Sequence, residues 1–159
     1  MSKVILICGK IASGKTHLAN QLLQNPNTVL LSADELMLKL FREDLGPDYE
    51  KYSSRAREYL HGLAEQFLRS GVSVILDWGF WSRADRETIS NHYRSRGFCC
   101  EWHYLDVSDE QWARNIEKRN AEVLAGRTDA YFADEGLLRK CSSRFEIPDR
   151  QKIDFWHTI

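Results

Sequence analysis

Gly9-Lys10-Ile11-Ala12-Ser13-Gly14-Lys15-Thr16 follows directly on the apolar run Val4-Ile5-Leu6-Ile7-Cys8. It leads into a segment with helical spacing at Leu18, Ala19, Leu22 and Leu23. The pattern G-x-x-x-x-G-K-[ST], set between a buried strand and a helix, is that of a P-loop. Its glycines allow backbone N–H groups to turn inward around an anion, and the helix N-terminus adds partial positive charge. Lys15 is then expected to reach the β- and γ-phosphates, and the Thr16 hydroxyl to ligate Mg²⁺. The alternative is an ordinary glycine turn, against which the placement between strand and helix argues. Residues 9–16 are therefore expected to bind a nucleoside triphosphate.

Outward from this stretch the chain alternates. Strand patterns are expected at Lys3–Cys8, Thr28–Ser32, Val72–Leu76 and Cys99–Leu105, with helical patterns between them. This β-α-β-α order predicts an α/β fold whose parallel sheet is covered on both faces. The clearest helix spans about 54–69, where Ala56, Tyr59, Leu60, Leu63, Ala64, Phe67 and Leu68 form one apolar stripe. A later helix near 109–124 is expected to bury Trp112, Ala113, Ile116, Val123 and Leu124, with Ser108 and Gln111 resembling a capping box. Gly126-Arg127-Thr128-Asp129 reads as a loop.

In parallel α/β sheets, ligands sit beyond the carboxyl ends of the strands. Asp34 follows the second strand pattern and Asp77 the third, so both are expected on the rim that holds Lys15 and Thr16. Asp77 then reads as a Mg²⁺-holding carboxylate, directly or through water, or as a strand-end acid capping the next turn. Asp34 reads as a base for an acceptor hydroxyl, or as the N-cap of a helix starting near Glu35. Arg119 and Arg127 are candidates for cations reaching over the transferring phosphoryl group. Arg114, five residues before Arg119, is a weaker candidate because the two are offset around the helix; solvated helix charge is the plain alternative for each. Trp78, Arg83 and Arg86, with Phe80 and Trp81, could line an acceptor pocket or pack beneath the rim.

Composition bounds the rest. The chain has 159 residues, 43% of them hydrophobic and 28% charged, which predicts one globular domain over 1–159. Lys plus Arg total 22 against 23 Asp plus Glu, so no global basic footprint marks a long nucleic acid as partner. No run is apolar enough to span a bilayer and no signal-peptide pattern opens the chain, which predicts a cytoplasmic protein without membrane partners. The four cysteines lack metal-ligand spacing and read as reduced thiols.

Taken together, Gly9–Thr16, Leu31-Ser32-Ala33-Asp34-Glu35-Leu36, Val74–Asp77 followed by Arg86, Arg114-x-x-x-x-Arg119-Asn120, and Arg144-Phe145-Glu146-x-Pro148 resemble one family. It comprises the P-loop kinases grouped with polynucleotide 5′-kinase domains, chloramphenicol phosphotransferase and zeta-toxin kinases, and within it the small AAA-family ATP-binding proteins are most similar. The resemblance covers about residues 3–150. It implies a three-layer P-loop NTPase fold with four or five parallel strands in the order 2-3-1-4, and a short lid, roughly 112–132. It also implies ATP/Mg²⁺-dependent phosphorylation of a hydroxyl. Polynucleotide kinases carry an arginine three residues after the base Asp; Met37 stands there in this chain, which disfavours a nucleic-acid 5′ end.

The reading is an ATP-dependent kinase acting on a hydroxyl of a small-molecule or nucleotide-like acceptor. A nucleoside monophosphate-type kinase is the second reading, with Arg42, Arg55, Arg57, Arg83 and Arg86 as its phosphate clamp; the Asp34 carboxylate would repel that acceptor. A nucleotide-operated switch is the third, although N-K-x-D is absent and Asp77-Trp78-Gly79 does not give D-x-x-G. The role of the apolar tail, 149–159, stays open at this level.

Overall fold

The computed structural model describes residues 1–41 and 45–159. Five strands, β1 (Lys3–Gly9), β2 (Thr28–Ser32), β3 (Ser73–Asp77), β4 (Cys99–Asp106) and β5 (Phe155–Thr158), form one sheet in the order β2-β3-β1-β4-β5. Every pairing is parallel, with Leu6 of β1 opposite Leu76 on one side and Trp102 on the other. The helices are α1 (Lys15–Leu22), α2 (Ala33–Leu40), α3 (Tyr49–Arg69), α4 (Arg83–Arg94), α5 (Asp109–Leu124) and α6 (Glu135–Arg144). Among the described residues no helix is long and apolar enough to cross a membrane.

Strand side chains alternate between faces, so the central apolar runs supply two cores at once. Val4, Leu6, Cys8, Val74, Leu76, Trp102 and Tyr104 meet Leu60, Ala64 and Leu68 of α3 and Ile89 and Tyr93 of α4. On the opposite face Ile5, Ile7, Ile75 and Leu105 meet Leu18 and Ala19 of α1, with Trp112 of α5 half-buried against them. The expected three layers are present. Sheet-side burial of these β-branched and Leu side chains, worth about 1.5–3 kcal/mol each, is what holds the strand ends in register at the rim.

The structure gives the tail a role and corrects several local expectations. The tail contributes the edge strand β5, tied to β4 by its register of Tyr104 with Trp156 and by a Trp156 indole N–H donated to Asp106. A four-residue strand carries too short an alternation to be read without its neighbour. The long helix begins at Tyr49 rather than near 54, and Tyr59 is two-thirds exposed, off the apolar stripe. Helix α5 buries none of its residues fully, and Ala113 and Leu124 face solvent. Ser108 caps α5 by accepting from the Gln111 N–H, while the Gln111 amide turns instead to Asn115. Of the 112–132 span expected as a lid, residues through Leu124 continue α5, and irregular chain occupies only the stretch up to α6. Cys8 and Cys141 are buried, Cys99 is exposed, and all four thiols are free.

Candidate active site

Residues 9–16 form the turn between β1 and α1. Gly14 caps α1 with φ 101°, and Ala12 also takes a left-handed φ of 58°. A β-carbon on Gly9 would stand 2.6 Å from the Ser13 hydroxyl, so only glycine fits there. No side chain caps α1 and no acid occupies its first turn, which leaves its leading N–H groups turned to the cavity. The Ser13 hydroxyl is buried beside them with no hydrogen-bond partner among the described residues. The uncapped start of α1 and the Ser13 hydroxyl together fit a polyphosphate.

Helix α5 braces this turn from outside. The Trp112 indole N–H donates to the Ile11 carbonyl at 2.7 Å, and the Asn115 amide donates to the Ala12 carbonyl at 3.0 Å. Two loop carbonyls are thereby held toward α5, while the Ser13 N–H closes the turn on the Lys10 carbonyl at 3.2 Å. The same helix holds the irregular segment before α6. Arg119 Nε donates to the Tyr131 carbonyl at 2.9 Å, and the Asn120 side chain both donates to the Ala133 carbonyl and accepts from its N–H. Sequence reasoning missed Trp112, Asn115 and Asn120. Positions 112, 115 and 119 recur at helical spacing and lie on one face of α5, which is the signal that was available.

Lys15, Thr16, Asp34, Asp77, Trp78 and Arg119 all line one open cavity of about 1970 Å³ at the carboxyl rim of the sheet. That exceeds the usual range for a single small ligand, about 300–1,000 Å³. Lys15 Nζ lies back on the Gly9 and Lys10 carbonyls at 3.1 and 2.8 Å. The Thr16 hydroxyl donates to Asp77 Oδ2 at 3.3 Å, joining the loop to the end of β3. A hydroxyl and a carboxylate oxygen together suit a hard divalent cation such as Mg²⁺.

Asp34 is the second residue of α2, whose N-cap is Ser32, accepting from the Glu35 N–H at 3.2 Å. The N-cap reading of Asp34 is thereby corrected. Asp34 makes no hydrogen bond or ion pair with another described residue and faces the cavity. Burial and the Asp77 charge push its pKa up, while Lys15, Arg119 and Arg57 pull against that. Burial likewise raises Asp77 and lowers Lys15 and Arg119, the last two partly rescued by the facing carboxylates. Two acids and two cations thus share a poorly solvated space, each perturbed by the others.

Other expected residues lie elsewhere. Arg86 is buried away from the cavity: its guanidinium donates to the carbonyls of Phe80, Trp81 and Glu146, strapping α4 to the chain after α6. Arg83 is exposed and paired with Glu87 at 2.9 Å, and its backbone N–H donates to Glu146. Neither lines the cavity, so the acceptor-pocket reading of both is corrected; a buried guanidinium takes the nearest carbonyls, and an exposed one its i+4 carboxylate. Arg127 is exposed past the end of α5 and is also not a lining residue; Arg114 is exposed and donates to the Gln111 side chain. Trp78 is buried against Phe80 and His61 and is also among the residues that line the cavity. Of the arginines named for a phosphate clamp, Arg57 alone lines the cavity, Arg55 is exposed, and Arg42 lies outside the described residues.

Comparison with known proteins agrees with this fold. Residues 4–148 match a family model described as an AAA domain. No curated protein matches the chain in sequence. Among solved structures, a "putative kinase" from Chloroflexus aurantiacus j-10-fl superposes with a TM-score of 0.73 at 22% identity, over 99% of this chain and 87% of that one. The Pnkp1/Rnl/Hen1 RNA repair complex gives 0.71 at 19% identity, over 90% of this chain and 43% of that one. The Mycobacterium tuberculosis APS kinase CysC, solved with AMPPNP and APS, gives 0.61 at 16% identity, over 99% and 88%. These likenesses are of fold.

Proposed function

The chain belongs to the AAA-domain family, and we propose that within it residues 1–159 form one P-loop kinase domain that transfers the γ-phosphoryl group of ATP to a hydroxyl of a small-molecule or nucleotide-like acceptor. The observation that carries the proposal is the convergence of Lys15, Thr16, Asp34, Asp77 and Arg119 on one cavity, with a free carboxylate opposite a phosphate cradle. The kinases among its fold neighbours support the same reading.

In this mechanism the N–H groups of residues 9–16 hold the polyphosphate. Thr16 and Asp77 would hold Mg²⁺, which when bound neutralises phosphate charge. Lys15 leaves the Gly9 and Lys10 carbonyls to meet the β- and γ-oxygens. Asp34 orients the acceptor hydroxyl and takes its proton as the oxygen bonds to the γ-phosphorus; the bond from that phosphorus to the bridging oxygen breaks, and ADP departs. Arg119, fixed by the Tyr131 carbonyl, stabilises charge on the equatorial oxygens. Phosphoryl transfer passes through a loose transition state, so positioning and charge supply most of the rate.

ADP release measured against an acceptor panel tests the proposal, the panel holding 5′-hydroxyl oligonucleotides, nucleosides, sugars and sugar acids. Acceptor-stimulated release that is absent from Lys15→Ala supports it. Slow release that no acceptor stimulates, with nucleotide-dependent binding of a partner, replaces it by the switch reading.

A further inference from the structure

Tyr49, Ser53, Arg57 and His61 recur every fourth residue on α3, so their side chains make one stripe, and all four line the cavity. Three of them have settled partners. The Tyr49 ring meets Tyr131 edge-on at 6.3 Å, the buried Ser53 hydroxyl accepts from Arg57, and His61 Nδ1 lies 2.8 Å from the Tyr93 hydroxyl. Arg57 differs. Half-buried, it donates one Nη1 hydrogen to Ser53 Oγ at 2.9 Å, and no carboxylate stands within ion-pair distance of it among the described residues. The other half-buried guanidinium of the cavity, Arg119, is held by a backbone carbonyl.

Asp34 feels Lys15, Arg119 and Arg57 within the same cavity, and Arg57 stands one turn before His61 on α3. Burial keeps His61 neutral, with its pKa lowered to about 4, so it adds no competing cation; Trp78, edge-on to it at 5.2 Å, supplies an apolar wall. A guanidinium has five N–H donors in a planar fork that matches oxyanions two at a time, and Arg57 has most of that fork unspent.

We propose that Arg57 anchors an oxyanion carried by the acceptor away from its reacting hydroxyl, so that the acceptor is an anionic hydroxy compound bearing a carboxylate, sulfate or phosphate. This deepens the kinase reading and rests on it for the word acceptor. Asp34 takes the hydroxyl end, and Arg57 sets which molecules present a hydroxyl there.

The test is calorimetry on the whole chain saturated with Mg·AMPPNP, so that the phosphate cradle is filled. Matched pairs are titrated in: gluconate against glucitol, 3′-AMP against adenosine, and serine sulfate against serine. The expected result is that the anionic member of at least one pair binds about tenfold more tightly, and which pair does so identifies the oxyanion. Arg57→Gln removes the preference, and Arg57→Lys retains part of it, with circular dichroism showing both variants folded. Equal binding within every pair, no binding by any anionic member, or a preference that survives Arg57→Gln overturns the proposal. Failure to take up Mg·AMPPNP sinks the kinase reading instead. The pairs are then titrated into Lys15→Ala, whose cradle has lost its cation, and the same outcomes judge Arg57.

Discussion

The Thr16 hydroxyl and Asp77 Oδ2 meet at 3.3 Å, joining the first turn of α1 to the last residue of β3. The two lie sixty-one positions apart in the chain, and it is the parallel pairing of β1 with β3 that brings them together. Asp77→Asn keeps the shape but loses the charge that attracts a divalent ion. The Mg²⁺ concentration giving half-maximal ADP release should rise about 10–100-fold, with little change in metal-free nucleotide affinity. A Mg²⁺ titration of turnover checks it; an unchanged midpoint removes Asp77 from the metal site.

Asp34→Asn should lower kcat by about 10²-fold or more while sparing Mg·ATP affinity, since a general base acts on the proton and not on the nucleotide. Its stability effect has the opposite sign. Burial and Asp77 hold the Asp34 pKa above 3.8 in the folded protein. The group's contribution to stability is thus complete below pH 3.8 and is lost as pH rises through the folded value. At pH 7 the wild-type carboxylate is a cost, and Asp34→Asn should raise the Tm of the nucleotide-free protein. The acidic limb of kcat/KM should fall at a pH above the usual carboxylate range and vanish in the variant. A lower Tm in Asp34→Asn would contradict the assigned burial.

Asn115→Ala deletes the bond that holds the Ala12 carbonyl toward α5. Losing one such hydrogen bond costs about 1 kcal/mol, so Mg·ATP should bind roughly fivefold more weakly. Acceptor KM should stay within twofold. Equilibrium dialysis with labelled nucleotide distinguishes this from a global loss of fold.

Arg86→Ala leaves three carbonyls, those of Phe80, Trp81 and Glu146, without their donor and opens a void in the core. Destabilisation of about 3 kcal/mol or more is expected by urea denaturation. In the fraction that stays folded, acceptor KM should be unchanged. A rise in KM without loss of stability would return Arg86 to the pocket.

How much of this could be read in advance follows from the range of the forces involved. The glycine turn is local: Gly9, Gly14, Lys15 and Thr16 are within eight residues, and their spacing carries the geometry. Asp34 and Asp77 were readable because strand ends in a parallel sheet share a rim. Arg86 was not, because whether a guanidinium finds a pocket or three carbonyls depends on where Glu146 arrives, sixty residues on. The stripe of Tyr49, Ser53, Arg57 and His61 was not readable, because its first two residues precede the apolar period that marked the helix and periodicity does not say what a polar face meets.

By itself the sequence determined four strands, the helices between them and the glycine turn at 9–16, because hydrophobic period and glycine placement act over neighbouring residues. Tertiary structure alone decided which charges share the cavity, that the last strand closes the edge beside β4, and that Arg57 keeps its donors unspent while Arg86 spends its own. Those outcomes depend on contacts between segments distant in the chain, where a single buried hydrogen bond or ion pair redirects a long side chain.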